Sequence, residues 1–331
     1  MTLEFNRQTL PFRTDFQIAG VKCFLSTNSH EILQAATRRR PMTMTSGHAS
    51  FTMEVIVDPA LDSTPEHSAH FRGLRHLVFA LLPPRSIVTY DLQRRRVHAA
   101  LSTIAGCDLA FWNTLLLPIT IGVLGTTVGV APMHCACLDR DGDGLLIAGV
   151  SGAGKSTLSA ALAQRGFALV SDDWTYIARH QTALVAHGLS SPVKLLPDAA
   201  RFFPELRGFT PRTTFNGELA YEFDAPDLLG SAAKTMSYPR QILFLERTSS
   251  PGCQMVPCPA EYTLNFFEKS AERLPDELPE AKACRAGIIQ SLSACPSWIL
   301  RTGENPQRTA ETIEHFLSEA VHETARAASL Q

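Results

Sequence analysis

One short run constrains this chain more than any other. Gly149, Val150, Ser151, Gly152, Ala153, Gly154, Lys155 and Ser156, with Thr157 next, match G-x-x-x-x-G-K-[ST] without a mismatch. Each residue type answers a physical need. Glycines let successive backbone N–H groups turn inward around phosphate oxygens, where side chains would collide. The start of a following helix adds partial positive charge. Lys155 offers a compact cation to the β- and γ-phosphates, and Ser156 a hydroxyl to Mg²⁺. The flanks set this run apart from a chance glycine turn. An apolar strand at 145–148 precedes it, and a helix over 155–165 follows, with Ser159, Ala160, Ala161 and Ala163 as a small face. Gly166 then caps the helix and 167–170 forms the next strand. The pattern predicts the strand–loop–helix–strand unit of a mononucleotide fold, with ATP and Mg²⁺ as ligands.

Asp172 and Asp173 follow the 167–170 strand directly. Carboxylates at the C-terminal edge of a strand beside a phosphate loop are placed for Mg²⁺ and an attacking group. Adjacent side chains there point different ways, so one can hold metal while the other accepts a proton. His134 begins a strand at 133–138, where a lone histidine reads first as a core residue. Alternation along His134, Cys135, Ala136 and Cys137 separates the imidazole from both thiols and argues against a metal site. Asp139, Asp141, Asp143 and Gly144 match the first half of a calcium loop. Position 150, however, is valine instead of the closing glutamate, so the run reads as a hairpin turn.

The rest of the chain excludes more than it specifies. Its 331 residues, 45% apolar and 19% charged, have ample material for a core and on a prior of roughly 100–200 residues each suggest about two domains. A net charge of −2 points to neither nucleic acid nor an anionic membrane. Arginine runs at 38–40 and 94–96 read as solvated turns. The stretch 109–138 carries no charge and is long enough to cross a bilayer. Pro118, Gly122, Gly125, Gly129 and Pro132 interrupt it and it feeds a nucleotide loop, so it reads as a buried helix, a turn and a core strand. Eight scattered cysteines and an N-terminus without an apolar h-region suggest reduced thiols and a cytoplasmic location. Residues 1–125 read as a mixed α/β domain with strands at 17–27 and 50–57, a helix at 29–40, and a hairpin over 74–92. Residues 126–331 read as the catalytic domain, with a core strand at 241–245, an edge strand at 298–301 and a terminal amphipathic helix over 306–327.

The run MHCACLDRDGDGLLIAGVSGAGKSTLSAALAQRGFALVSDDWTYI resembles the catalytic core of the HPr serine kinase/phosphorylase superfamily. It is more specifically similar to HPr-kinase-like enzymes of biosynthetic gene clusters, such as lasso-peptide kinases. The resemblance implies an α/β fold: a P-loop HPr-kinase/PEP-carboxykinase-like catalytic domain with a smaller N-terminal α/β domain. It implies an ATP-dependent kinase acting on an alcohol group, with Asp173 as base, Asp172 assisting with metal, and His134 near the transferred phosphoryl group. The HPr kinases proper carry a glutamate metal ligand in a glycine-rich signature, and HGLSSPVKLLPDAARFFPEL here lacks both. The expected acceptor is therefore a small molecule or peptide instead of HPr. Asp198 and Glu205 are candidate replacement ligands, Lys194 a candidate acceptor contact, and Arg212 and Arg240 candidate charge-neutralising arginines. HPr kinases are hexamers, which implies a possible homo-oligomer. The rival expectation is a nucleotide-dependent switch or assembly ATPase that forms no phosphorylated product.

Overall fold

The computed structural model describes residues 10–38, 50–64, 69–189, 192–214, 217–230, 232–248, 252–303 and 305–328, apart from the side chains at 228 and 319–328. Arg39 and Arg40 lie outside the described residues. The chain forms two compact units, each discontinuous in sequence. The first comprises Met1–Met133, Tyr176–Ser190 and Glu268–Ser291, and the second His134–Thr175, Ser191–Phe267 and Leu292–Gln331.

The first unit is built on a seven-stranded sheet. Its strands are β1 (Phe12–Ile18), β2 (Val21–Thr27), β3 (Ser50–Val57), β4 (His70–Leu74), β5 (Leu77–Leu82), β6 (Ser86–Asp91) and β7 (Arg96–Leu101), in the order β1-β2-β3-β7-β6-β5-β4. The single strand expected at 17–27 is instead part of a hairpin. Ala19 and Gly20 both take positive φ, 48° and 75°, a two-residue turn whose twist matches the flanking strands. Helix α1 (His30–Thr37) starts at Ser29, whose hydroxyl accepts the Ile32 N–H at 3.2 Å. Of the second arginine run, Arg94 folds back onto Asp91 at 3.2 Å and Arg95 has a φ of 54°, so it is a turn.

After α2 (Thr103–Cys107), the uncharged stretch becomes a π-helical turn (Phe111–Leu116), α3 (Leu117–Leu124), a 3₁₀ turn (Gly125–Val128) and the first part of a strand. Phe111–Val128 is long and apolar enough to cross a membrane by length and composition. Yet Trp112, Leu116, Leu117, Ile121 and Leu124 are at most 1% exposed and belong to the core of this unit. Burial of each such side chain contributes about 1.5–3 kcal/mol. The Tyr176 hydroxyl donates to the Pro118 carbonyl at 3.2 Å, tying a later segment into the same core.

The second unit opens with β8 (Val130–Arg140), β9 (Asp143–Ala148), α4 (Lys155–Ala163) and β10 (Ala168–Ser171). The chain then returns to the first unit for most of a hairpin of β11 (Trp174–His180) and β12 (Ala183–His187), and in the second unit a small sheet forms from β13 (Val193–Leu195), β14 (Arg212–Thr213) and β15 (Leu219–Phe223). The chain continues through α5 (Ala225–Leu229), β16 (Met236–Arg247), β17 (Cys253–Pro257), α6 (Ala260–Ser270), α7 (Pro279–Ser293), most of which belongs to the first unit, β18 (Ser297–Thr302) and α8 (Pro306–Ala328).

Strand directions position the site. β8 runs antiparallel to both β10 and β9, while β9, β16 and β18 run parallel, and β17 closes the sheet antiparallel to β18. The β9–α4–β10 crossover therefore joins two strands of one direction with β8 between them. The C-terminal ends of β9, β10, β16 and β18 share one edge with the start of β8. The edge strand expected at 298–301 is interior, because β17, too short and polar to read as a strand, covers its outer side. Leu145, Ile147, Leu158, Ala161, Leu243 and Ile313 lie in the buried core of this unit.

Candidate active site

The glycine-rich loop leaves β9 at the ligand edge and ends in α4. Gly152 and Gly154 have φ of 78° and 98°, the left-handed region that glycine enters without strain. A Cβ on Gly149 would stand 3.0 Å from the Leu245 carbonyl oxygen, so a larger residue there would crowd β16. Lys155 is 7% exposed and its ammonium donates to the carbonyls of Gly149 at 3.0 Å and Val150 at 3.4 Å. Burial lowers its pKa, while the charges of Asp173, Cys135 and Asp172 oppose that shift.

A hydroxyl chain holds the turn after β10. Ser171 Oγ and Thr175 Oγ1 lie 2.6 Å apart, and Thr175 Oγ1 donates to the Cys135 carbonyl at 2.7 Å. Asp172 and Asp173 thus leave the sheet edge in different directions. Cys135 pairs with Ala148, so His134 stands level with the first residue of the loop. His134 Nε2 and Asp173 Oδ1 are 2.8 Å apart, and with the carboxylate ionised the ring N–H donates. The Trp174 ring lies 5.4 Å from the imidazole at 30°. Burial pushes the Asp173 carboxyl up, but the His134 hydrogen bond and charge, with Lys155 and Lys194, hold it below its ordinary value.

Asp172 behaves in the opposite way. Desolvation raises its carboxyl to about 6, against the pull of the Lys194 N–H at 3.3 Å; Asp173 adds to the rise, while Ser156 and Lys155 oppose it. Its Oδ1 is shut from solvent without a hydrogen-bond partner. Among the described residues no group of three His, Cys, Asp or Glu could hold a metal ion. A lone buried carboxylate oxygen beside a serine hydroxyl suits Mg²⁺, which takes few protein ligands and completes its shell with water and phosphate oxygens.

The edge therefore gathers His134, Lys155, Ser156, Asp172, Asp173 and the backbone of Lys194. Lys194 Nζ itself lies 3.6 Å from Glu222. Two expected arginines are not gathered there. Arg240 lies near the start of β16 and pairs with Asp143 at 3.4 Å, at the end of the sheet away from the loop. Arg212 is exposed on β14. Asp198 is exposed on a 3₁₀ turn, and Glu205 accepts from Gln164 at 3.4 Å. Asp141 and Gly142, with φ of 58° and 100°, make the hairpin turn between β8 and β9. Asp139 is 2% exposed and bonded to Ser237, Lys234 and the Gly142 N–H, which makes it a structural carboxylate. Sequence reasoning did not single out Trp174, whose ring lies beside His134, or Arg247, whose side chain reaches Gly154. Arg247 ends β16 beside Gly154, and its only sequence signal was a charge closing an apolar strand.

Residues 128–196 match the model of the HPr Serine kinase C-terminal domain. The core is HPr-kinase-like. The match encloses His134, the whole phosphate loop, Asp172, Asp173 and Lys194 within the α/β architecture described above. A solved structure of the HPr(Ser) kinase/phosphatase from Coxiella burnetii is similar at 16% identity and a TM-score of 0.36, over 60% of this chain and 94% of that one. No curated protein matches the chain.

Proposed function

We propose that this HPr-kinase-like protein is an ATP-dependent phosphotransferase whose acceptor is a hydroxyl on a small molecule or peptide. One observation carries the reading: a phosphate loop with Lys155 shares a sheet edge with the 2.8 Å His134–Asp173 pair. The loop N–H groups of 149–157 and the Lys155 ammonium bind and neutralise phosphate oxygens. Ser156 and Asp172 are the residues that would hold Mg²⁺. Bound Mg·ATP supplies the phosphoryl group and the metal's charge neutralisation.

Asp173 takes the acceptor's proton. Its depressed pKa keeps it ionised at neutral pH, and phosphoryl transfer through a loose transition state asks for positioning more than strong basicity. His134 fixes the carboxylate's orientation, and Trp174 shields one side of the imidazole. Catalysis by this set needs no covalent enzyme intermediate.

The test incubates the protein with γ-labelled ATP, Mg²⁺ and fractionated host extract, beside Lys155→Ala. A labelled product that requires Lys155 identifies the acceptor. Free phosphate alone, rising only with a protein fraction, replaces this reading with a nucleotide-driven switch.

A further inference from the structure

The carboxylate of Asp173 has one oxygen engaged and one open. Oδ1 carries the His134 hydrogen bond, and among the described residues no group bonds Oδ2. The next residue, Trp174, is 37% exposed, although tryptophan is highly buried on average. The His134 ring stands against one face of the indole at 5.4 Å and 30°, so the open surface is the opposite face and the ring edge. Among the described residues no hydrogen bond engages the indole N–H.

The charges around Asp173 bear on the charge of the acceptor. The cations whose fields reach it are already committed: Lys155 to the carbonyls of Gly149 and Val150, Lys194 to Glu222, and His134 to Asp173 itself. None of the three is left to bind a carboxylate, such as that of a free amino acid or a peptide C-terminus. Asp172 is shut from solvent and Asp173 takes the proton, so neither is spare for an amine. Val150, also exposed, is a second apolar side chain at this edge. The acceptor therefore meets an apolar flat face, one neutral donor and one carboxylate oxygen.

We propose that Trp174 is the platform on which the acceptor lies, and that the acceptor is a neutral ring alcohol, a sugar or cyclitol. The inference rests on the kinase reading and deepens it. The C–H groups on one face of such a ring are weakly positive and suit the negative π-face of an indole. Its hydroxyls suit the indole N–H and Asp173 Oδ2, the few polar groups that fix orientation beside an apolar surface. An extended peptide has no comparable flat face of C–H groups beside a serine hydroxyl. In the transfer, one ring hydroxyl gives its proton to Oδ2 as its oxygen bonds to the terminal phosphorus of ATP. The bond from that phosphorus to the bridging oxygen breaks, ADP leaves, and Oδ2 passes the proton to water.

The test is transfer from γ-labelled ATP with Mg²⁺ into a deproteinised host extract, the labelled product being identified by mass spectrometry. The expected product is the phosphate ester of a neutral sugar or cyclitol. With that acceptor purified, Trp174→Ala should lose about tenfold or more in kcat/KM, carried mainly by KM. Trp174→Phe, which keeps a flat face without the N–H, should recover part of the loss. Calorimetry should give both variants the Mg·ATP affinity of the wild type, which shows that they are folded. A labelled amino acid, peptide or open-chain alcohol would overturn the ring assignment, and an unchanged KM in Trp174→Ala would overturn the platform. Either result leaves the kinase reading standing. The absence of any labelled product that requires Lys155 would instead bring down that reading, and the acceptor platform with it.

Discussion

At the residue scale, the two adjacent aspartates are separated by their surroundings. Asp173 leans on an imidazole and stays ionised, while Asp172 loses water and gains only partial compensation from one backbone N–H. Different environments for neighbouring carboxylates allow different roles. Asp173→Asn should therefore lower transfer turnover by about 10²–10⁴-fold while Mg·ATP affinity holds, read by steady-state kinetics beside calorimetry. Unchanged turnover would remove Asp173 as the base. A second titratable residue bears on stability. His187 on β12 is 7% exposed, and burial pushes its imidazole down from 6.5 to about 4. The unfolded chain binds more protons between those values, so this contribution is full above pH 6.5 and is lost as pH falls toward 4. Its size is about 3 kcal/mol, at about 1.4 kcal/mol for each pH unit of that gap. Urea unfolding of wild type and His187→Gln at pH 4 and 7.5 should show a smaller acid loss in the variant. Parallel losses would assign the effect to other groups.

At the scale of elements, the β8–β9 hairpin sets the geometry of the loop that follows. Asp139 anchors its base, bonding the Gly142 N–H within the turn and Lys234 and Ser237 just before and at the start of β16. Removing a buried carboxylate leaves those donors without their partner. Asp139→Ala should cost about 2–4 kcal/mol in chemical denaturation, and a loss below about 0.5 kcal/mol would show that the hairpin holds without it. The same geometry uses up the acidic run that imitates a calcium loop. Millimolar Ca²⁺ should leave the melting temperature of the protein unchanged, whereas a rise with Ca²⁺ would reinstate an ion site at Asp139, Asp141 and Asp143.

At the scale of the whole molecule, chain order and packing do not coincide. Tyr176, Leu189, Leu274, Leu278 and Ala281 all follow residue 126, yet they are buried in the core built by the first sheet and the apolar helices before β8. A fragment spanning 126–331 would expose those side chains, the leucines among them each removed from water at about 1.5–3 kcal/mol in the full chain. It should lack a cooperative thermal transition and aggregate, as monitored by calorimetry and light scattering. A fragment that unfolds cooperatively, with the full chain's affinity for Mg·ATP, would show that the second unit stands alone.

What the sequence determined by itself is local. The phosphate loop, the hairpin ahead of it, the Ser29 cap and the paired aspartates follow from short-range rules: φ freedom at glycine, charge at a helix start, alternation along a strand. Those rules need only neighbours within a few positions, so the residues display them directly. Tertiary structure decided everything that depends on which strands lie side by side. Arg240 and Arg247 both flank the apolar run 241–245, and composition cannot rank them. The parallel pairing of β9 with β16 puts Arg247 at the phosphate end and Arg240 at the other. His134 reads as a core residue from its strand alone and becomes Asp173's partner because β8 lies between β9 and β10. Pairing of that kind is set by long-range burial, a property that the run of residues around any one site does not carry.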